Sequence, residues 1–139
     1  MSGDRFAEQA WRAMAALVID NRDSWKRAAV EQSGLPFSRI RILRRLSRRP
    51  MTVKELAHAA TIDAPAATVA VNDLERRGLV VRRVDPDNRR RKQVSLSGPG
   101  RAMVKRIDAI DDPPPDVLTA LDDRELQALC DILAKLSPK

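Results

Sequence analysis

Aromatic side chains are scarce in this sequence, whose 139 residues include two Trp, two Phe and no Tyr. Apolar residues nevertheless make up 43% of the chain, so a hydrophobic core has to be built from Leu, Val, Ile and Ala. Because aromatic residues are enriched in β-strands, their scarcity favours helices over a β-sandwich. A chain of this length has room for one domain, or for a compact unit with helical extensions that pair with a second copy.

Side chains suited to catalysis and metal binding are also scarce. The sequence has one His, one Cys and five Gly, without metal-ligand spacing or a Gly-rich phosphate loop. We therefore expect neither enzymatic activity nor a cofactor. His58 falls on the exposed side of a predicted helix and is interpreted as solvated. Cys130 cannot form an intramolecular disulfide; a small buried side chain is the default interpretation, and redox sensing is the alternative.

Long apolar runs are missing as well. No stretch approaches the roughly 20 residues that span a bilayer. The first residues lack the basic start and the small-residue cleavage site of a signal peptide. We therefore expect a cytoplasmic protein with no membrane partner, and a single cysteine fits a reducing compartment.

Positive charge is concentrated in the middle of the chain. The formal net charge is +7, yet residues 39–106 carry eighteen basic and six acidic residues, whereas residues 107–139 carry three basic and eight acidic residues. A localised basic field binds polyanions, because neutralised phosphates release counterions. Nucleic acid is the favoured partner, and a membrane surface is the weaker alternative.

Apolar residues recur at three- and four-residue steps in the first third of the chain, which predicts helices. One helical segment runs from Arg5 to Ser33 and ends at Gly34 and Pro36. A second runs from Phe37 to about Ser47. Its predicted inward residues are Ile40, Leu43 and Leu46. Its arginines are predicted to point largely outward: Arg39, Arg41, Arg44, Arg45, Arg48 and Arg49.

Two short helices follow, each with its own cap signal. Thr52 and Glu55 have capping-box spacing and predict a helix over residues 53–60. Asp63 is a suitable N-cap for a helix to Arg77, after which Gly78 supplies a left-handed cap. The predicted inward residues of this second helix are Val69, Leu74 and the intervening alanines.

Beyond Gly78 the apolar period changes to two, which predicts a strand over residues 79–84. Turn residues 85–88 and the basic run 89–92 precede a returning strand that contains Val94 and Leu96. Ser97 then caps another helix. Three prolines, 113–115, interrupt it, and Asp122 and Glu125 begin a last helix that extends to about Ser137.

The order helix, turn, helix, strand, basic hairpin, strand predicts a winged helix-turn-helix. The fold class is mostly α with a small β-hairpin wing, and the N- and C-terminal helices form a dimerisation region. The predicted division is an N-terminal dimerisation helix over residues 1–36, a DNA-binding lobe over 37–100 and C-terminal dimerisation helices over 101–139.

Three stretches resemble the MarR family of bacterial transcription regulators: TVKELAHAATI at 52–62, APAATVAVNDLERRGLV at 64–80 and DPDNRRRKQVSLSGPG at 85–100. The resemblance implies a cytoplasmic homodimer that binds duplex DNA. It also implies a cleft in which many relatives bind small aromatic acids or phenols that weaken DNA binding. The predicted dimer contacts are Phe6, Ala10, Trp11, Leu126, Leu129, Leu133 and Leu136.

The predicted DNA contacts are Pro65, Thr68, Asn72, Arg82, Arg83, Arg89, Arg90 and Arg91. Three features depart from the family pattern, one of which is the interruption by prolines 113–115 of what is commonly one long helix. The recognition helix has Val69 and Asp73 where relatives often have Arg, so Thr68 and Asn72 are the remaining polar candidates for base contact. In the wing, Asn88 replaces the acid that is thought to brace the minor-groove arginine, so Asp85 or Asp87 is expected to brace Arg90 instead.

The predicted function is a DNA-binding transcription regulator, a repressor released by a small aromatic or phenolic ligand, that recognises a pseudo-palindromic operator. The alternative is a winged-helix module that binds protein or RNA and senses no ligand.

Overall fold

The computed structural model describes residues 2–137 and is mostly helical, with one antiparallel hairpin, as predicted. Its elements are α1 Ser2–Asn21, α2 Asp23–Ser33, α3 Phe37–Leu46, α4 Val53–Ala60, α5 Ala64–Arg76, β1 Val80–Asp85, β2 Asn88–Leu96, α6 Gly98–Asp108, a 3₁₀ helix Asp116–Ala120 and α7 Asp123–Leu136. Residues 22–110 form one compact unit, called the lobe below. The described residues before and after it form another, the terminal segments.

The predicted continuous helix from Arg5 to Ser33 is wrong at Arg22, where α1 ends and α2 begins. The local sequence explains the break, because the polar side chains around Arg22 compete for backbone hydrogen bonds. The Asn21 side-chain amide donates to the Leu17 carbonyl at 2.8 Å, and the Arg22 carbonyl accepts the first hydrogen bond of α2 from the Lys26 N–H at 3.0 Å. The new helix belongs to the lobe.

The core of the lobe is aliphatic, as the composition predicts. Its largest fully buried side chains are Leu35, Ile40, Ile42, Leu43, Val71, Leu74, Val80, Val94 and Ile107, together with Leu56 of α4. The aromatic residue in this core is Trp25 of α2, which is 4% exposed and meets the half-buried Phe37 edge-on at 6.2 Å. Because Trp25 and Ala29 are both buried, α2 is an integral part of the lobe.

The predicted helix caps are confirmed. Thr52 Oγ1 accepts from the Glu55 N–H, and the Glu55 carboxylate accepts from the Thr52 N–H, both at 3.1 Å. The Asp63 carboxylate accepts from the Ala66 N–H at 2.7 Å. Gly78 has φ +76°, a left-handed conformation that glycine adopts without strain. These caps satisfy backbone groups at the ends of α4 and α5 and fix the turn between them.

The hairpin packs tightly against the lobe. Its register pairs Val80 with Leu96 and Arg82 with Val94, with an irregularity after Val84. At Gly100, in the first turn of α6, an added Cβ would stand 1.9 Å from the Leu79 carbonyl oxygen. Only glycine permits this approach of α6 to the start of the wing.

The terminal segments carry exposed apolar side chains. In α1, Phe6 is 62% and Trp11 68% exposed, and in α7 Leu136 is 65% exposed. The capping box of Asp122 and Glu125 is confirmed at the start of α7. No helix within residues 2–137 has the length and apolar character needed to cross a membrane.

The structure also bears on two predictions about the exposure of single side chains, Cys130 in α7 and His58 in α4. Cys130 is exposed, so its predicted burial is wrong for this chain taken alone. His58 is exposed, as predicted.

Candidate nucleic-acid interface

Helix α5 presents a continuous exposed stripe. Its buried side chains are Ala67, Ala70, Val71 and Leu74, which follow helical spacing. The opposite face carries Pro65, Thr68, Val69 and Asn72, again at three- and four-residue steps, and all four are exposed. The predicted inward position of Val69 is therefore wrong, because the alanines at 67 and 70 set the phase of the buried face. At 59% exposure Val69 joins the stripe as an apolar contact candidate.

Asn72 and Arg82, both predicted to contact DNA, are bonded to each other. An Arg82 guanidinium N–H donates to the Asn72 side-chain oxygen, and Arg82 Nε lies 3.6 Å from a Glu75 carboxylate oxygen. Arg82 is partly buried, with 28% of its side chain exposed. The contact therefore connects α5 directly to β1 of the wing.

The wing arginines divide into two kinds. Arg89 and Arg90 are exposed at the hairpin, and neither has a carboxylate within 4.0 Å among the described residues. Arg91 instead donates to the Asp85 carboxylate at 2.7 Å, and its guanidinium also lies 4.0 Å from Glu55. Of the three consecutive arginines 89–91, two thus have no carboxylate partner among the described residues and one is held by Asp85.

Asp85 is the acid that braces the wing. It is 2% exposed, accepts the Asp87 N–H at 2.9 Å and accepts from Arg91. The Asp87 N–H and then the Arg91 guanidinium hold the pKa of the Asp85 carboxyl below its usual value, and Asp85 raises the pKa of Arg91. The expectation that an acid braces Arg90 is wrong, because Asp85 holds Arg91 and the Arg90 N–H bonds the Asn88 side chain.

Asp73 joins three guanidinium groups at one end of α5. Its carboxylate oxygens lie 3.0 Å from Arg39 Nε, 3.1 Å from Arg77 Nε and 3.9 Å from Arg76. The hydrogen bond from Arg39 is the main reason that the pKa of Asp73 is lowered. The predicted outward orientation of Arg39 is wrong, because 20% of its side chain is exposed and it bridges α3 to α5.

Sequence reasoning missed Arg39 and Arg77 as residues that shape this surface. The four-residue spacing of Asp73 and Arg77 is a helical ion-pair signal and was available in the sequence. The Arg39 contact joins positions 34 residues apart, and no local signal indicates it.

The predicted dimer contacts lie on the terminal segments and share helical spacing. Phe6, Ala10 and Trp11 are exposed on α1. On α7, Leu133 and Leu136 are exposed and Leu126 and Leu129 are partly exposed. These residues form apolar stripes on two amphipathic helices.

Comparison with known proteins gives a match to one family model and several similar folds. Residues 33–91 match the model of the MarR family. The apo form of wild-type MarR from E. coli is 20% identical, with a TM-score of 0.72 over 91% of this chain and 96% of that chain. A point mutant of MepR from a multidrug resistant S. aureus clinical isolate is 22% identical, with a TM-score of 0.69 over 90% of this chain and 93% of that chain.

A structure of S. aureus MepR in complex with DNA is also similar, at 20% identity and a TM-score of 0.56 over 93% of this chain and 99% of that chain. At these identities the likeness shows a shared winged-helix fold over most of the chain.

Proposed function

Because residues 33–91 match the model of the MarR family, we propose that the protein is a transcription regulator that represses transcription by binding a pseudo-palindromic duplex DNA operator as a homodimer. The observation that carries the proposal is the exposed stripe of α5 beside a wing whose tip has two arginines without a carboxylate partner among the described residues. A recognition helix with an exposed polar and apolar stripe suits the major groove, where base edges differ in their hydrogen-bonding pattern.

The proposed contacts divide by role. Thr68 and Val69 read bases, since a hydroxyl can bond a base edge and both side chains offer a methyl to thymine. Pro65 borders them in the first turn of α5. Arg89 and Arg90 enter or border the minor groove, where narrow A·T-rich segments attract guanidinium groups. Arg83 is exposed on β1 and contacts phosphate.

The main role of Asn72, Arg82 and Arg91 is to position the wing. Asn72 and Arg82 fix the wing against the recognition helix, and Arg91 anchors the wing to Asp85. Asn72 can contact adenine only if its side chain gives up the hydrogen bond from Arg82 and bonds the base instead. This division concentrates direct base recognition in Thr68 and Val69.

A homodimer is proposed because the apolar stripes of α1 and α7 are exposed in a single chain. Burying a large apolar side chain stabilises an assembly by about 1.5–3 kcal/mol relative to leaving it exposed. A dimer that covers Trp11, Phe6 and Leu136 on both copies would gain several such terms. Two lobes in one dimer would then reach successive turns of the duplex, about 34 Å apart. Such a regulator acts in the cytoplasm.

Release of DNA by a small aromatic acid or phenol is the regulatory part of the proposal, and it rests on the family likeness. It is tested by titrating a panel of phenolic and carboxylic acids into the protein–DNA complex. If no compound in the panel changes operator affinity or melting temperature, the sensor role should be dropped.

The DNA proposal is tested by fluorescence anisotropy with labelled DNA from upstream of the protein's own gene, competed with random duplex and with RNA of equal length. We expect operator DNA to bind at least about a thousandfold tighter than random duplex. Equal competition by RNA would favour an RNA-binding module. Failure of all nucleic acids to bind at physiological salt would favour a protein partner.

A further inference from the structure

A stripe of arginines on α3 and in the turn after it faces a cavity away from α5 and the wing. Arg41, Arg44 and Arg45 lie three and four residues apart on α3, and Arg48 follows in the turn beyond its end. They line a cavity of about 470 Å³, together with Arg22 before α2 and Asp108 at the end of α6. Among the described residues, none from α5 or the hairpin lines it.

The wall of this cavity carries an excess of positive charge. Arg44 Nε lies 3.5 Å from the Asp108 carboxylate, and both side chains remain about half exposed. Within residues 22–110, Arg41, Arg45 and Arg48 have no carboxylate within 4.0 Å. The wall therefore combines five arginines with one carboxylate.

The arginines that precede and follow this series, Arg39 in α3 and Arg49 three residues beyond its end, behave differently. Arg39 is held by Asp73 at 3.0 Å and Arg49 by Glu55 at 2.9 Å. The lobe thus pairs Arg39 and Arg49 with carboxylates, whereas between them, within the described part of the chain, Arg44 alone has a carboxylate partner, Asp108. Like charges four residues apart destabilise a helix. The repulsion between these arginines therefore raises the free energy of the folded chain, and a bound anion would remove this repulsion.

Two of the guanidinium groups are held in place by an aromatic ring. Arg22 lies 4.3 Å and Arg44 4.9 Å from the centroid of Trp25, which is itself 4% exposed. Stacking on a buried ring limits the motion of these side chains, and a planar guanidinium binds phosphate or carboxylate through two parallel hydrogen bonds. Part of the site is therefore organised before any ligand binds.

We propose that this cavity binds a compact anion with at least two closely spaced negative charges, such as a phosphorylated or polycarboxylated small molecule. The volume is in the range of small-ligand sites. The arginine-rich wall favours multiple charges over the single charge of an aromatic acid. The site is independent of the proposed DNA contacts, because it lies on the α2 and α6 side of α3.

The test uses the unaltered chain for calorimetry and Trp11→Phe, which leaves Trp25 as the fluorophore, for fluorescence, after sedimentation has shown that the two have the same oligomeric state. Inorganic pyrophosphate, citrate and benzoate are titrated at constant ionic strength, with fluorescence and calorimetry as readouts. We expect saturable binding of pyrophosphate and a change in Trp25 emission, because Arg22 and Arg44 contact the ring. Equal binding of citrate would identify multiple charge as the determinant, whereas a preference for pyrophosphate would identify phosphate groups. Either result supports the site.

Four single substitutions sharpen the test. Arg41→Gln and Arg48→Gln should each weaken pyrophosphate binding about tenfold, since each removes a charge-assisted hydrogen bond from an exposed side chain. Asp108→Asn should tighten it, because the competing carboxylate is removed. Arg27→Gln, which removes the same charge from an exposed position on α2, is the matched control.

Three outcomes would overturn the proposal. Sodium chloride at equal ionic strength could reproduce the pyrophosphate response, or Arg27→Gln could weaken binding as much as Arg48→Gln. In the third outcome, Arg41→Gln and Arg48→Gln would weaken duplex DNA binding and leave pyrophosphate binding unchanged, which would assign the stripe to the DNA backbone. Far-ultraviolet circular dichroism checks that each variant is folded.

Discussion

Replacing Arg90 with Gln removes one of the two guanidinium groups at the wing tip that no carboxylate of the described residues holds. Each groove or phosphate contact on B-DNA contributes about −0.9 to the slope of log K against log salt concentration, so two subunits should lose about 1.8 units of slope. Between about 50 and 200 mM salt, wild-type affinity should therefore fall about twelvefold more than that of the variant. Anisotropy titrations at four or more salt concentrations measure this difference, and operator and random duplex should lose affinity alike.

Two further variants, Arg91→Gln and Arg27→Gln, separate the loss of a DNA contact from a loss of stability and from a loss of charge elsewhere. Arg91→Gln leaves the buried Asp85 without its guanidinium partner, so the melting temperature should fall while the salt slope changes little. Arg27→Gln removes a charge outside the wing and should alter neither quantity. If Arg90→Gln leaves affinity and slope unchanged, the wing does not contact DNA and the lobe must dock by another face.

Four further outcomes are expected. Thr68→Ala should relax preference at one base position per half-site by about 1–3 kcal/mol, measured on a panel of operator variants, without changing the salt slope. Gly100→Ala should destabilise the fold by about 3 kcal/mol in chemical denaturation, because the added Cβ would stand 1.9 Å from a backbone oxygen, and an unchanged midpoint would contradict this contact. The pKa of the Asp85 carboxyl is lower in the folded chain than in the unfolded one, so its contribution is present above the unfolded pKa and is lost as pH falls through the folded value. Asp85→Asn should therefore flatten the acid limb of stability against pH. Deleting residues 122–139 should convert a sedimenting dimer to a monomer.

Local chemistry explains which parts of the fold were predictable. The helix starts at Thr52, Asp63, Ser97 and Asp122 all rest on side chains that bond backbone groups three residues away. Gly78 is likewise a local cap. Such signals lie within a few residues of one another, so a single sequence contains them completely.

The contacts that shape the candidate interface are not local. Arg39 reaches Asp73 across 34 positions, and Arg82 reaches Asn72 across ten. Whether an arginine is free or bonded depends on where the chain places a carboxylate or amide, and composition does not contain that information. The prediction that Val69 faces the core is wrong for a related reason. The small alanines beside it determine the buried face of α5, against which α4 packs.

The positions of the carboxylates therefore determine which cationic side chains of the lobe can still bind a polyanion. The bonded pairs are Arg39 and Arg77 with Asp73, Arg44 with Asp108, Arg49 with Glu55, Arg82 with Glu75, and Arg91 with Asp85. The arginines without such partners among the described residues include those of the wing tip and, in the α3 cavity, Arg41, Arg45 and Arg48. Net charge thus overstates the charge that faces DNA. The salt slope of DNA binding should therefore be well below the number of arginines in the lobe. The α3 arginines should contribute to anion binding without adding to that slope.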